Sequence, residues 1–341
     1  MTDPHALVIA EIGVNHNGDL GLAKQMVDAA AAADVDVIKF QSFVPELLLL
    51  DSAPKAAYQE ETTGSESSAM EMIAALTFSF DEFRELKAYV ESRGKVFLST
   101  AFDLPSLAFL ADLGLETFKI PSGEITNLPY LRAMAGYASD IIMSTGMSDL
   151  TDIRAAYAAL TAAGFPGDRV TVLQCNTAYP SPADDANLRA MITIGADLGI
   201  AYGYSDHTEG PNAALAAVAL GATVIEKHFT TDRTLPGPDQ GASMEPDDFA
   251  RLVRDIREIE RALGSSEKTI TPSERENRPV ARRGVYASRD LAAGEVLTWD
   301  DVVCLRPESG MSPMDLDAVI GRPLTRALAR HEPVSTADVA V

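Results

Sequence analysis

The stretch IIMSTGMSDLTDIRAAYAALTAAGFPGDRVTVLQCN, residues 141–176, reads as two short β-rich runs, Ile141–Met147 and Val170–Asn176, on either side of a segment with helical periodicity. A strand that returns through a helix to another strand implies parallel pairing with a crossover. Moving outward, similar β-rich runs recur: ALVIAEIG, VDVIKFQS, KVFLSTAF and TFKIPSG before it, IAYGYSD and TVIEKHFT after it. Most are separated by helical segments such as GLAKQMVDAAAAA, FDEFRELKAYVESRG and LPSLAFLADLG. Eight such strands within residues 1–265 match a (β/α)8 TIM barrel, an α/β fold, better than an open doubly wound sheet. No GxGxxG follows the first strand to support the open alternative.

Composition bounds the function. The 341 residues are 46% hydrophobic, enough for one large domain with or without a small one, and the 6% aromatic content points to a core of Ala, Val, Leu and Ile. A net charge of −22 and a pI near 4.5 argue against nucleic acid and anionic membranes as partners. An anionic substrate would then need a local positive pocket. Two cysteines, Cys175 and Cys304, make no disulfide framework and no CxxC zinc pattern, which fits a reducing compartment. The start MTDPHALVIAEIG lacks a basic leader with a long apolar stretch, and no run of eighteen apolar residues occurs, so a cytoplasmic protein is expected.

Active sites of this barrel gather at the C-terminal ends of the strands, and polar residues fall there. They are Glu11, Lys39 and Gln41, Ser99 and Thr100, Lys119 and Ser122, Ser144 and Thr145, Asn176 and Thr177, Ser205, Asp206 and His207, and Glu226, Lys227 and His228. Two of the five histidines, His207 and His228, thus close neighbouring strands with Glu11 on the strand beside them. They suit either a divalent metal or hydrogen bonds to substrate or backbone. Lys39 and Lys119, each near the close of an apolar run, either ring an anion together with Thr100, Ser122, Ser144 and Ser205 or snorkel to the surface. The loop TLPGPDQGASMEP, residues 234–246, with Asp239 inside it, reads as a substrate clamp or as a long turn into the next helix.

After PDDFARLVRDIREIERALG the pattern breaks into a polar linker, residues 266–283. Residues 284–341 then read as short strands and tight turns, with Gly294 and Gly321 at turn positions. A β-rich domain of that size gains stability from docking elsewhere.

IAEIGVNHNGDL, IKFQSF, FKIPSGEITNLP, IMSTGMS, GYSDHTEG, ALGATVIEKHFT and GPDQGASMEPDDF, in this order, resemble the sialic acid synthase family. GVYASRDLAAGEVLTWDDVVCLRP resembles the antifreeze-like SAF domain, of β-clip type, that follows the barrel in that family. The resemblance implies condensation of phosphoenolpyruvate with an N-acetylated mannosamine, with release of phosphate by C–O cleavage. It implies His207 and His228 as ligands of Mn2+ or Mg2+, with Co2+ a further possibility. It assigns Lys39, Thr100, Lys119, Ser122, Ser144, Ser205 and His228 to phosphoenolpyruvate, with Asn176 and Thr177 as rivals for one more contact. Glu11, Gln41, Tyr179 and Asp239 match contacts to the amino sugar.

The resemblance makes Glu124 the group that positions or activates water; otherwise it caps the following helix. Arg306 matches an arginine that reaches the sugar's N-acyl group from the partner subunit, which implies a domain-swapped homodimer. The sixth strand, LQCNTAYPSPADDANLRAM, is similar to the legionaminic acid branch, whose substrate is 2,4-diacetamido-2,4,6-trideoxymannose, and leaves the sugar open between that and N-acetylmannosamine. The alternatives are another phosphoenolpyruvate-dependent aldose condensing enzyme and a catalytically silent sugar-binding member.

Overall fold

The computed structural model describes residues 5–64 and 66–340, and the chain divides into two compact units after Gly264. The first four residues of the expected leaderless start, and Val341 at the end of the second domain, lie outside the described residues. No helix among those described is long and apolar enough to cross a membrane.

In the first unit eight parallel strands close into a barrel in sequential order. They are β1 (Leu7–Gly13), β2 (Val37–Ser42), β3 (Val96–Ala101), β4 (Thr117–Ile120), β5 (Asp140–Ser144), β6 (Val170–Cys175), β7 (Ala201–Asp206) and β8 (Val224–His228). β8 pairs back onto β1 from Leu7↔Val224 to Glu11↔His228, so the two ends of the barrel sequence meet beside the second histidine.

The unit that decided the fold shows how sequence makes each repeat. Asp149 caps the helix Leu150–Ala162 by accepting from the backbone N–H of Thr151 at 2.6 Å and Asp152 at 3.1 Å. Ile153, Ala156 and Leu160, spaced by three and four, form the face that this helix buries. In the strands, side chains alternate faces. Ile38 and Phe40 of β2 therefore enter the apolar layer, while Lys39 and Gln41 line a cavity at the strand's C-terminal end.

One connection holds more than the helical segment FDEFRELKAYVESRG read in the sequence between β2 and β3. The chain first makes three short helices, Pro45–Leu48, Ala57–Thr63 and Ala69–Ala75, and only then the long helix Phe80–Ser92. Val14, Phe43, Met72 and Leu76 form a small apolar cluster of their own there, with Leu48, Ile73 and Phe102 packed against it.

In the second unit, residues 266–283 include two short helices, Pro272–Arg275 and Asn277–Ala281. β9 (Gly284–Ala287) and β10 (Val302–Leu305) then pair antiparallel. Residues 288–301, SRDLAAGEVLTWDD, and 325–338, TRALARHEPVSTAD, are two copies of one device. Arg289 Nε and Nη2 donate to Asp301 and Glu295, each at 3.0 Å, and Arg326 pairs in the same way with Asp338 and Glu332. Leu291 and Leu328 exchange backbone hydrogen bonds of 2.8 and 2.9 Å, which joins the copies. Gly294 and His331 occupy the same turn position with φ of 89° and 65°; glycine adopts that conformation without strain, and the histidine does not.

Candidate active site

The strand ends surround a cavity of about 440 Å³ lined by Glu11, Lys39, Gln41, Thr100, Lys119, Ser122, Ser144, Thr177, Tyr179, Ser205, His207, His228 and Asp239. Pairs two residues apart share a face, which is why Lys39 and Gln41, Ser205 and His207, and Glu226 and His228 all reach it.

Four buried charges form its ionic centre. Lys39 Nζ lies 2.7 Å from Glu11 Oε2 and 3.6 Å from Glu226 Oε2, and Lys119 Nζ lies 3.5 Å from Glu226 Oε1. Lys39 donates to Thr100 Oγ1 at 3.2 Å and Lys119 to Ser144 Oγ at 2.5 Å. Ser205 Oγ donates to Glu226 at 3.1 Å, and Gln41 Nε2 donates to Glu11 at 2.8 Å. Burial works against charge on Glu226, yet Lys119 and Lys39 hold its carboxyl at about 2. Burial likewise works against charge on Lys39, but Glu11 and Glu226 hold its pKa above the ordinary lysine range. Lys119 has less compensation, and burial pulls its pKa below that range, so a bound anion would stabilise its charged form.

The histidines meet at the same cavity, with ring centroids 5.2 Å apart, and the Tyr179 ring lies 4.1 Å from His207 and 5.5 Å from His228. His207 Nδ1 donates to the Asn176 carbonyl at 2.5 Å, which fixes the ring and makes Nε2 the nitrogen that would meet a metal. Burial pushes His228 well below the ordinary range, so it is neutral, and its Nδ1 has no hydrogen-bond partner. Burial works against charge on His207, but the Cys175 thiol and the Asn176 carbonyl lift its pKa above the ordinary imidazole range, so a metal there would displace a proton from it. With that proton gone, the two imidazoles and the Asp239 carboxylate lining the same cavity fit a divalent ion. Among the described residues no three His, Cys, Asp or Glu side chains are gathered closely enough to hold an ion alone, so an ion there would keep open positions for water or substrate.

The structure places three other groups as follows. Glu124 ends the turn Ser122–Glu124, whose first two residues line the cavity, and its carboxylate accepts from Nδ2 of Asn127 at 2.5 Å; Asn127, not Glu124, caps the following helix. Asn176 is turned away, its Oδ1 accepting from the Ala178 N–H and Ser181 Oγ, so Thr177 is the rival that lines the cavity. Asp206 and Lys227, grouped with the strand-end residues, point to the other face and pair with each other at 2.8 Å. Arg306 belongs to the second unit, exposed just after β10, with no ion-pair partner among the described residues.

Two contributors went unassigned in the sequence. Glu226 sits two residues before His228, so strand alternation alone would have placed it in the lumen. The side-chain amide of Asn15, within GVNHNG, donates to the Phe229 carbonyl at 2.9 Å and Ser243 Oγ at 2.8 Å, and the backbone carbonyl of Asn15 accepts from Gln240 Nε2 at 2.7 Å. Ser243 Oγ in turn donates to the Asp239 carbonyl at 2.7 Å. The loop carrying Asp239 is therefore pinned to the loop after β1.

Burial raises the Asp239 carboxyl to about 6, against a minor opposing pull from His207. Its native pKa lies above the ordinary value of 3.8, so the native state holds more protons than the unfolded chain between those values and stability falls as pH rises through that window. Asp239→Asn should stabilise the metal-free protein above about pH 6 by up to about 3 kcal/mol, with the gain vanishing toward about pH 4. Melting temperatures of both proteins in chelator across that range check this; a gain independent of pH would contradict it.

Residues 26–268 match the NeuB family, and residues 282–340 match the SAF domain. The chain is 42% identical over 326 residues to the N,N'-diacetyllegionaminic acid synthase of Campylobacter jejuni, covering 96% of this chain and 98% of that one. It is 35% identical over 319 residues to the human N-acetylneuraminate-9-phosphate synthase, covering 92% and 87%. Among solved structures, the N-acetylneuraminic acid synthetase of Leptospira borgpetersenii superposes with a TM-score of 0.69 at 36% identity, covering 80% of this chain and 90% of that one. The charged barrel mouth and the small repeated domain after it thus have a common explanation: the chain belongs to the NeuB family and is a nonulosonic acid synthase with a C-terminal SAF domain.

Proposed function

We propose that this synthase joins phosphoenolpyruvate to 2,4-diacetamido-2,4,6-trideoxymannose in preference to N-acetylmannosamine, giving a nine-carbon 2-keto acid and phosphate. The observation that carries the reading is the ionic centre: two buried ammonium groups, Lys39 and Lys119, among the hydroxyls of Thr100, Ser144 and Ser205, opening into the same cavity as His207 and His228. The 42% identity to a legionaminic acid synthase supports the choice of sugar.

Lys39, Lys119 and the surrounding hydroxyls, with Ser122 and Thr177, bind the phosphate and carboxylate of phosphoenolpyruvate. Gln41, Glu11 and Asp239 accept from or donate to the sugar's hydroxyls, and Tyr179 packs the acceptor against the histidines. A divalent ion held by His207 and His228, Mn2+ or Mg2+ with Co2+ as a further option, would supply Lewis acidity toward the aldehyde oxygen. C3 of phosphoenolpyruvate attacks the aldehyde carbon, and positive charge develops at C2. Glu226, ionised throughout the working pH range, is a fixed negative charge suited to that carbon. Water adds at C2, and phosphate departs with the electrons of the C2–O bond.

Phosphate release from phosphoenolpyruvate in the presence of Mn2+ and each sugar tests the reading, and its absence with both sugars would contradict it. We further propose a homodimer in which Arg306 of one chain contacts the sugar bound by the other; its exposure without an ion-pair partner supports this. Arg306→Ala should raise KM for the sugar roughly 10–100-fold, the loss of one charged hydrogen bond, and leave KM for phosphoenolpyruvate unchanged. Equal rises in both, or a monomer in light scattering, would contradict the assignment. The free thiols of Cys175 and Cys304 and the use of phosphoenolpyruvate support a cytoplasmic location.

A further inference from the structure

The cavity has two unlike sides. Every lysine that lines it, Lys39 and Lys119, stands on a barrel strand within the ionic centre. The side formed by the excursion after β2 presents Phe43, Leu48, Leu49, Met72 and Ile73, joined by Phe102 just after β3, with Gln59 as the polar side chain the excursion contributes. Phe43 and Met72 are buried in the small apolar cluster and Leu48, Ile73 and Phe102 pack against it, so this wall is braced.

The excursion also disfavours anions. Residues 43–79 contain one lysine and six carboxylates, Glu46, Asp51, Glu60, Glu61, Glu66 and Glu71. The lysine, Lys55, is committed elsewhere, donating to Thr63 Oγ1 at 3.1 Å, the Gly64 carbonyl at 2.8 Å and Ser67 Oγ at 2.9 Å. A phosphate against this wall would find no cation and, beyond the one amide of Gln59, no polar side chain of the excursion to replace its water. A methyl group there would bury apolar surface at no such cost.

Resting on the proposed condensation, we infer that the wall of Leu48, Leu49, Met72 and Ile73 is the specificity element of the site. It reads the end of the open-chain sugar remote from its aldehyde and selects a 6-deoxy, methyl-terminated aldose over its 6-hydroxy and 6-phosphorylated counterparts. The reacting end fixes the orientation: the aldehyde must lie at the histidines and the phosphoenolpyruvate site, which leaves the remote carbons for the apolar side.

The test measures kcat/KM by phosphate release for three sugars that differ only at C6, 2-acetamido-2,6-dideoxymannose, N-acetylmannosamine and N-acetylmannosamine 6-phosphate, in the wild type and in Ile73→Gln and Leu49→Gln, with 2,4-diacetamido-2,4,6-trideoxymannose as the control for turnover. The wild type should prefer the 6-deoxy sugar to N-acetylmannosamine by at least about 10-fold, the scale on which an apolar pocket separates such groups, and use the phosphorylated sugar least. Each variant should shrink the preference for the 6-deoxy sugar by roughly 10-fold and leave KM for phosphoenolpyruvate unchanged. Two variants at separate points of the wall guard against one that fails to fold, which a melting curve identifies. Equal use of the three sugars, a preference for the phosphorylated one, or a preference unchanged in both variants overturns the inference and leaves the condensation standing. No release by the wild type with any sugar overturns the condensation and the inference together.

Discussion

Lys119→Met is expected to lower kcat/KM for phosphoenolpyruvate by about 1,000-fold, the upper end of the loss when one preorganised electrostatic partner is removed from an enclosed site. Lys119 is 3% exposed and lies between Ser144 Oγ and Glu226, with no second lysine beside Ser144 to replace it. The substitution also leaves Glu226 with only Lys39, at 3.6 Å, to balance a buried carboxylate. Breaking one side of a buried ionic group costs on the order of 3 kcal/mol, and the remaining lysine keeps the loss at or below that figure. Adding Glu226→Gln should restore most of the melting temperature without restoring turnover. Recovery of both would make the lysine a structural counter-ion and contradict its role at the substrate anion.

His228→Ala, and separately His207→Ala, should remove measurable turnover and weaken Mn2+ binding, read by electron paramagnetic resonance, by at least about 100-fold, since even outer partners of a metal ligand contribute up to that much. The metal-free fold should survive His228→Ala, because His228 Nδ1 has no hydrogen bond to lose. For His207 the bond to the Asn176 carbonyl goes as well, and a somewhat lower melting temperature is expected. Lost turnover with unchanged Mn2+ affinity would assign the imidazoles to hydrogen bonding with substrate.

The barrel was legible because strand and helix periodicities alternate cleanly and each strand carries its polar residues at one end. Lys39 with Gln41 and Ser205 with His207 were legible for the same reason, since a spacing of two fixes a shared face. Alternation also separates Asp206 and Lys227 from the lumen, a distinction lost when all polar strand-end residues were read together. It stops where a strand stops, so it gives no placement for Glu124 or Asn176: one lies in a single helical turn, the other in a loop where its side chain accepts from the Ala178 N–H and Ser181 Oγ. The excursion after β2 was hidden because helices of four to seven residues are too short to display a period. The repeat in the second unit rests on an Arg, Glu and Asp at fixed spacing, visible only when Arg289 and Arg326 are aligned.

The central claim is a condensation in which phosphate leaves by cleavage of the C–O bond. Phosphoenolpyruvate carrying 18O in the bridge between C2 and phosphorus, turned over with the trideoxy sugar and Mn2+, tests it most directly. The label should appear in the released phosphate, with a nine-carbon keto acid formed in equal amount and both suppressed by chelator. Label retained in the organic product, or phosphate released without that acid, would contradict the account.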